Sequence, residues 1–425
     1  MDNVILNDVI NVISGGTPKT NNSEYWENGT IGWLSINDFN NDLRKVYISE
    51  KKITEKGLKN SSTKLLKVDD LIISARGTVG VLAQIGFPMA FNQSCFGLRG
   101  KEDIVDNTYL YYCLKNYVSN IQKRGQGSVF NTINLDSFKL MEINIENFIN
   151  QKKIAAVLSA LDDKIELNNQ LNAELEQMAK TIYDYWFVQF DFPDENGNPY
   201  KSSGGKMIYD EVLKREIPVG WEVKILSEVA NITMGQSPSG ESYNEQNKGM
   251  IFFQGSTDFG WRFPENRIYT TSPTRFAKEN DILLSVRAPI GTMNIAMYDC
   301  CIGRGLSALN SKENFNSFLI YQMNYFKKKF DYLNSVGTTF GSLTKDDLYN
   351  LEFCYPSENI LRKFEKTVST FDSKIKINSK QNQELAQLRD WLLPMLMNGQ
   401  VRVGSGEYER EEGGLVMVAE GKGKY

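Results

Sequence analysis

Histidine is missing from all 425 residues. Its absence removes the commonest general base and metal ligand, and excludes Ser-His-Asp catalysis, Cys-His catalysis and histidine-ligated zinc. Cysteine is scarce. Cys95, Cys113, Cys300, Cys301 and Cys354 are an odd number without CxxC spacing, so they read as reduced, mostly buried thiols of a cytoplasmic protein and not as a metal site. No apolar run reaches the roughly 18 residues of a membrane span, and no basic stretch with an apolar core opens the chain, so neither membrane insertion nor secretion is expected. No charge sign dominates. With 48 Lys and Arg against 52 Asp and Glu, the net charge is -4, and a phosphate-binding surface would have to arise from local asymmetry. Phosphate loops of the GxxxxGK[ST] type, NPPY- or DPPY-type tetrads and PD…(D/E)xK clusters are also lacking. Paired carboxylates at Asp69-Asp70, Asp162-Asp163 and Asp346-Asp347 are accounted for by helix starts and surface turns.

What is present is a duplication. Leu161-Asp162-Asp163-Lys164-Ile165 returns 210 residues later as Phe371-Asp372-Ser373-Lys374-Ile375, and the same offset pairs Gly127-Ser128-Val129-Phe130 with Gly337-Thr338-Thr339-Phe340. Near the front the offset is 220, matching Leu6-Asn7-Asp8-Val9 to Leu226-Ser227-Glu228-Val229, and Gly15, Thr17 and Pro18 to Gly235, Ser237 and Pro238. Between these it is 211, pairing Asp70, Ser74, Arg76 and Gly80 with Asp281, Ser285, Arg287 and Gly291. The drift places about ten additional residues in the middle of the first half, expected in loops. A period this long is a duplicated domain, since solenoid repeats recur every 20 to 50 residues or so. Two matched halves in one chain point to a two-part target.

Residues 1–149 alternate short apolar runs with Gly, Asn and Asp, which predicts a mixed, strand-dominated domain with one helix from Asn107 to Lys123. From about residue 150 to 188 the texture changes. Ile154, Leu158, Leu161, Ile165, Asn168, Asn172, Leu175, Ala179 and Ile182 fall at alternating four- and three-residue steps, the seam of a coiled coil. Its copy, within 358–400, reads Phe364, Val368, Phe371, Ile375, Asn378, Asn382, Leu385, Arg389 and Leu392. Asparagine in a seam costs stability but fixes register, so the two helices are expected to pair with each other, each about 35 residues and roughly 50 Å long. The alternative is two amphipathic helices packed on their own domains. A stretch from Phe190 to Gly205, rich in Pro, Gly, Ser and Asn, reads as a linker. It leads, within 189–357, to the second β-rich domain, whose helix is expected from Asn314 to Asp331. Residues 401–425, rich in Gly and Glu, are expected to be disordered. The predicted class is α+β, with two β-rich mixed domains separated by two long antiparallel-paired helices in a pseudo-two-fold internal repeat. Two equivalent domains without catalytic machinery imply recognition.

This arrangement resembles the specificity subunit of Type I restriction-modification systems over nearly the whole chain, to about residue 403. The resemblance rests on Asp191-Phe192-Pro193 with Asn198-Pro199-Tyr200-Lys201-Ser202-Ser203-Gly204-Gly205, on Ile217-Pro218-Val219-Gly220-Trp221-Glu222, and on Leu393-Pro394-Met395-Leu396-Met397-Asn398-Gly399-Gln400. Ser74-Ala75-Arg76-Gly77-Thr78-Val79-Gly80 and Ser285-Val286-Arg287-Ala288-Pro289-Ile290-Gly291 look like the family's strand-and-turn element. The first copy departs by opening at Val4-Ile5-Leu6 without Pro-x-Gly-Trp, and the acidic tail has no counterpart in the family pattern. The resemblance implies a non-catalytic subunit with two target recognition domains, each reading half of a split, asymmetric site in double-stranded DNA, and paired helices acting as a ruler. It further implies two modification (methyltransferase) subunits carrying S-adenosylmethionine, and two restriction subunits carrying ATP and Mg. The subunit itself would hold no cofactor or metal.

Base reading calls for Arg on guanine, Asn or Gln on adenine, and hydroxyls or Lys on phosphates. Candidates in turn-like positions are Arg76, Thr78, Asn92, Gln93, Gln126, Ser128 and Asn131 in the first half. In the second they are Gln254, Thr257, Arg262, Arg287, Arg304, Thr338, Thr339 and Ser342. For Arg76 and Arg287 the competing role is to tie a turn to a neighbouring carbonyl or carboxylate. Tyr183, Trp186, Phe187, Trp391 and Leu392, near the helix ends, are candidates for partner docking, with core packing as the alternative. The remaining function classes are a coiled-coil scaffold bearing two protein- or carbohydrate-binding modules and a fused restriction-modification enzyme, the latter disfavoured by the missing catalytic motifs.

Overall fold

The computed structural model describes residues 2–41, 43–123, 132–287, 289–335 and 342–404. The chain forms two compact units, residues 1–169 with 379–425, and residues 170–378. Both mix helix and sheet.

In the first unit, strands Ile10–Ser14, Cys95–Gly100, Leu71–Ser74, Leu82–Ile85 and Lys45–Val46 form a five-stranded sheet in that order. Lys51–Ile53, Ile31–Leu34 and Ala90–Phe91 form a second, and Asp2–Ile5 pairs antiparallel with Glu142–Ile145. The second unit follows the same order in its main sheet: Ala230–Met234, Leu306–Ser311, Ile282–Ser285 and Met293–Ile295. Its second sheet runs Tyr243–Asn244, Tyr269–Thr270, Met250–Phe253, Cys300–Ile302 and Phe276–Ala277, and Glu222–Ile225 pairs with Glu352–Tyr355. Leu71–Ser74 and Ile282–Ser285 are buried at every position, as befits central strands covered on both faces.

Backbone hydrogen bonds locate the length difference between the halves. Asn92 N donates to Leu34 O in one unit and Gly303 N to Phe253 O in the other, while Lys67 N and Lys278 N donate to the carboxylates of Asp70 and Asp281. Most of the additional residues therefore lie between Leu34 and Asp70. They are not confined to loops, because this stretch folds the edge strand Lys45–Val46 and the short helix Glu55–Lys59.

The helix Asn107–Lys123 spans the expected residues, and its counterpart is Asn316–Ser335. Asn314, expected inside the latter, has a φ of 64° and stands before its start. Each of these helices is held near its first turn by a side chain of a long helix. Gln151 Oε1 accepts from Asp106 N at 3.0 Å, and the Glu365 carboxylate accepts from Ser317 N at 3.1 Å and Phe318 N at 3.3 Å. Burial pushes Glu365 upward from its ordinary pKa, against the pull of those amides.

The long helices are Phe148–Tyr183 and Glu358–Met397. In the first unit Asn168 donates to Asn382 at 2.8 Å and to Gln381 at 2.9 Å, and Arg389 donates to Asp162 at 2.7 Å. Residue numbers fall on one helix as they rise on the other, so the pair is antiparallel there. In the second unit Asn378 donates to Asn172 at 2.9 Å, again antiparallel. Of the expected seam, Ile154 and Leu158 join the core of the first unit and Ala179, Phe364 and Val368 that of the second, while Leu393, Leu396 and Met397, past the seam, join the first. Asn168, Asn172 and Asn378 are each about 2% exposed, so their amides depend on protein partners.

The stretch Phe190 to Gly205 is more than a connection. The helix ends in a π-turn, Asp184–Val188, and Phe190 takes a φ of 67°. Phe192 then stacks between Tyr200 and Trp221, with ring centroids 4.6 and 5.0 Å away, and the Asp191 carboxylate accepts from Ser202 N and Oγ at 2.7 and 2.6 Å. Aromatic burial anchors the start of this segment, Phe190 and Phe192, in the core of the second unit, while residues 195–198 and 201–204 are exposed as their composition leads one to expect.

Asp162 is the most demanding contact of the first unit. It accepts from Tyr112 Oη at 2.5 Å as well as from Arg389, and its side chain is 6% exposed. Burial lowers the Arg389 pKa and Asp162 raises it, for a net upward shift. Asp162→Ala is expected to destabilise the first unit by about 1–3 kcal/mol, because it leaves the buried Tyr112 hydroxyl without its acceptor and Arg389 with Asp390 alone. Denaturant unfolding of the variant checks this, and a loss below about 1 kcal/mol contradicts it.

Candidate nucleic-acid interface

The central strand of each unit runs into a turn held by its own serine. Ser74 Oγ donates to Thr78 O at 2.5 Å and accepts from Val81 N at 2.9 Å, while Gly80, with a φ of 88°, donates its N–H to Ser74 O at 3.0 Å. Ser285 Oγ donates to Arg287 O at 2.8 Å, and Gly291, with a φ of 86°, donates to Ser285 O at 2.9 Å. A second loop is laced to each turn: Ala75 N donates to Ser94 O at 2.8 Å, and Val286 N to Gly305 O at 2.9 Å. A third joins from further along the chain, through Ile133 N to Ala75 O and Leu343 N to Val286 O. The fourth carries the first glycine of each copy. Gly16 N donates to Phe91 O and Gln236 N to Ile302 O, each at 3.0 Å. A Cβ on Gly15 would collide with Asn92 O, and one on Gly235 with Gly303 O, so both positions require glycine for close approach. The two units thus hold four loops together by the same main-chain bonds.

Most described arginines outside these loops are committed to a partner. Arg44, Arg99, Arg262, Arg267, Arg362 and Arg389 each face a carboxylate, and Arg215 lies over the Phe190 ring. Arg76, Arg275, Arg287 and Arg304 are exposed and have no carboxylate partner among the described residues. Arg76, Arg287 and Arg304 lie on the laced loops; Arg275 stands just before the strand Phe276–Ala277 beside them, its carbonyl accepting from Ile302 N at 2.9 Å, and Arg402, likewise exposed and without an ion pair among the described residues, lies outside the frame. Exposed, uncommitted guanidinium groups on a rigid frame suit phosphate oxygens and guanine edges. The chain's overall negative charge does not bear on this, because phosphate binding depends on the charge presented locally.

Of the other expected contact residues, Thr78 and Gln93 are exposed on the frame, and Thr17 Oγ1 donates to Gln93 Oε1. Gln254 is exposed and donates to Ser237 Oγ at 2.9 Å; Thr257 is exposed in a short 3-10 turn. Ser342 is exposed and bridges the Arg287 backbone. Asn92 is half-buried and its side chain accepts from Ser94 N at 3.0 Å, a turn-forming role. Gln126, Ser128, Asn131, Thr338 and Thr339 lie outside the described residues. Arg262 has to be withdrawn. It is 7% exposed, with its guanidinium between Glu176 and Asp372, and it binds the long helices instead of a base. Arg275 was missed, since nothing in its sequence neighbourhood sets it apart. Thr17 and Ser237, matched between the copies, are hydroxyls of the frame that offset alone could have nominated.

The docking candidates divide similarly. Tyr183 and Phe187 are buried, Trp186 packs on the same cluster, and Leu392 packs against the core of the first unit. For these, core packing is the role the structure shows. Trp391 is 56% exposed.

Nucleophiles are unpromising. Burial pushes the thiols of Cys95, Cys113, Cys300 and Cys354 up to about 12, so they stay protonated at neutral pH. Among the described residues no cluster of Cys, Asp and Glu could hold a metal, and no helix is long and apolar enough to cross a membrane. A cavity beside Arg262 in the second unit, about 110 Å³, is far below the roughly 300 Å³ at which ligand pockets begin.

The sequence profile described as "Type I restriction modification DNA specificity domain" matches residues 1–177 and 218–387. The Type I restriction enzyme MjaIX specificity subunit of Methanocaldococcus jannaschii is 30% identical over 416 residues, 94% of this chain and 93% of that protein. A putative MjaX specificity subunit from the same organism is 32% identical over 315 residues, covering 72% and 71% of the two chains. Among solved structures, the Type I restriction-modification S subunit from M. genitalium superposes with a TM-score of 0.59 at 17% identity, covering 93% of this chain and 95% of that one, which speaks to fold. With its profile matched in both halves and a relative aligned along nearly its full length, the chain belongs to the specificity subunits of Type I restriction-modification systems.

Proposed function

We propose that the chain is a non-catalytic reader of a split, asymmetric site in double-stranded DNA, each unit taking one half-site and presenting the target to partner subunits. The observation that carries this reading is the loop frame. Two units build it from the same main-chain bonds, place uncommitted arginines on it, and fill the remaining exposed positions differently. Shared bonds provide a common docking geometry, and differing side chains provide two different readings. On this reading the domains are 1–149 and 189–357 and the long helices hold the readers at a set spacing; Val401 and Val403, expected in a disordered tail, pack against the core of the first unit instead, and residues 405–425 lie outside the described ones.

The long helices also account for partners. In the first unit Leu167, Leu388 and Trp391 are exposed on them, and in the second Leu171, Met178 and Ile377 are. Leu167 and Ile377 are repeat mates, as are Met178 and Leu388, so each copy of the helix offers a similar apolar face. Such faces suit two copies of one partner, the modification subunit, which would bring S-adenosylmethionine. Restriction subunits, with ATP and Mg, would join that assembly in the cytoplasm, beside the DNA it modifies.

Three outcomes are expected. In gel shifts, the chain co-assembled with its methyltransferase partner binds duplex DNA far better than the partner alone; equal binding contradicts the proposal. Arg76→Ala or Arg287→Ala weakens matched and mismatched duplexes alike and lowers the slope of log affinity against log salt by about one, the signature of a lost phosphate contact. An unchanged slope contradicts that role. Because Asn168 meets Asn382 and Asn172 meets Asn378, one heptad inserted into both long helices at these residues is expected to lengthen the spacer of the methylated site and leave both half-sites intact. An unchanged spacer removes the ruler.

A further inference from the structure

Hydrogen-bond equivalence puts Gln93 and Arg304 at the same point of the two frames. Each sits one residue after the loop position that approaches the first glycine, Asn92 or Gly303, and one before the residue whose carbonyl ties the turn, Ser94 or Gly305. Each lies beside the hydroxyl of the glycine loop. Thr17 Oγ1 donates to Gln93 Oε1 in one unit, and Ser237 Oγ accepts from Arg304 N at 3.3 Å in the other. Both side chains are exposed.

The neighbouring turn behaves differently. Its exposed cation is the same in both copies, Arg76 and Arg287, as expected for a contact every duplex offers. At the Gln93 and Arg304 position the copies differ, and they differ between the two residue types that have distinct bidentate partners among the bases. Glutamine pairs with adenine N6 and N7, and arginine with guanine O6 and N7. The local bonds favour each assignment. Thr17 fixes the orientation of the Gln93 amide and leaves both its N–H donors and an oxygen lone pair free, the set an adenine edge requires. In the second unit Ser237 is occupied by the Arg304 backbone and by Gln254, which leaves the guanidinium uncommitted.

We propose that Gln93 and Arg304 are corresponding specificity residues, Gln93 reading an adenine in one half-site and Arg304 a guanine in the other. The assignment rests on the proposed DNA-reading function and adds the base class at one position of each half-site. The test maps methylated motifs by single-molecule sequencing in a methylation-free host expressing the full chain with its methyltransferase partner, as wild type, Arg304→Gln and Gln93→Arg. Arg304→Gln is expected to shift one guanine towards adenine in one half-site by roughly ten- to a hundredfold in preference, with the other half-site and the spacer unchanged. Gln93→Arg is expected to produce the reverse change in the opposite half-site. Arg304→Lys, which keeps the charge but loses the fork, is expected to keep guanine with weaker discrimination. An unaltered motif in Arg304→Gln, or uniform loss of methylation with the motif intact, overturns the assignment while the DNA-reading function stands. A wild-type complex that methylates no split motif removes both.

Discussion

A buried amide in an apolar seam must find a partner, and this constraint sets the register of the long helices. Asn168 and Asn172 are nearly inaccessible to solvent, and they meet Asn382 and Asn378 on the other helix. A slip of one residue would orphan these groups at a cost of about 1–3 kcal/mol each, and would also part Arg389 from Asp162. A seam of leucine alone would be more stable and less particular. The β-rich folds then fasten to helices whose register is already decided: Arg44 bonds Asp163, Gln151 and Glu365 hold the first turns of the shorter helices, and Arg262 bridges Glu176 and Asp372.

Rigid fastening below permits variation above. The four laced loops are tied by main-chain bonds, a backbone-approaching glycine and a serine turn, none of which constrains what the exposed side chains are. Gln93 and Arg304 occupy one frame position with different chemistry, while Arg76 and Arg287 keep the same chemistry at another. Under the proposed function, specificity would therefore change by single substitutions at little cost in folding. Buried Arg44 and Arg262 lack that freedom, because each is held inside the fold by an ion pair to a long helix.

The parts legible in the sequence were those governed by local periodicity or by copying. The helix Asn107–Lys123 follows from its apolar spacing, and the asparagine seam from two matching sets of steps. Family membership was legible in the linker and closing motifs. Illegible were outcomes set by distant partners. Arg262 and Arg304 look equally available in sequence, yet one is neutralised by a carboxylate 110 residues away and the other meets none among the described residues. Phe190 to Gly205 has the composition of a linker, and half of its residues are exposed, but Phe190 and Phe192 at its start are buried with Trp221 in Tyr183's cluster. Tyr183 and Phe187 sit where a partner could dock on a bare helix, and the second unit covers them. In each case tertiary burial decided a question that composition leaves open.

The central claim is that one chain carries two readers on a fixed frame. It is tested most directly by sequencing methylated positions genome-wide in a host that expresses this chain with its methyltransferase partner. The account predicts one asymmetric motif made of two defined blocks separated by a constant run of unspecified bases. A single continuous motif, or two blocks at variable spacing, would contradict it.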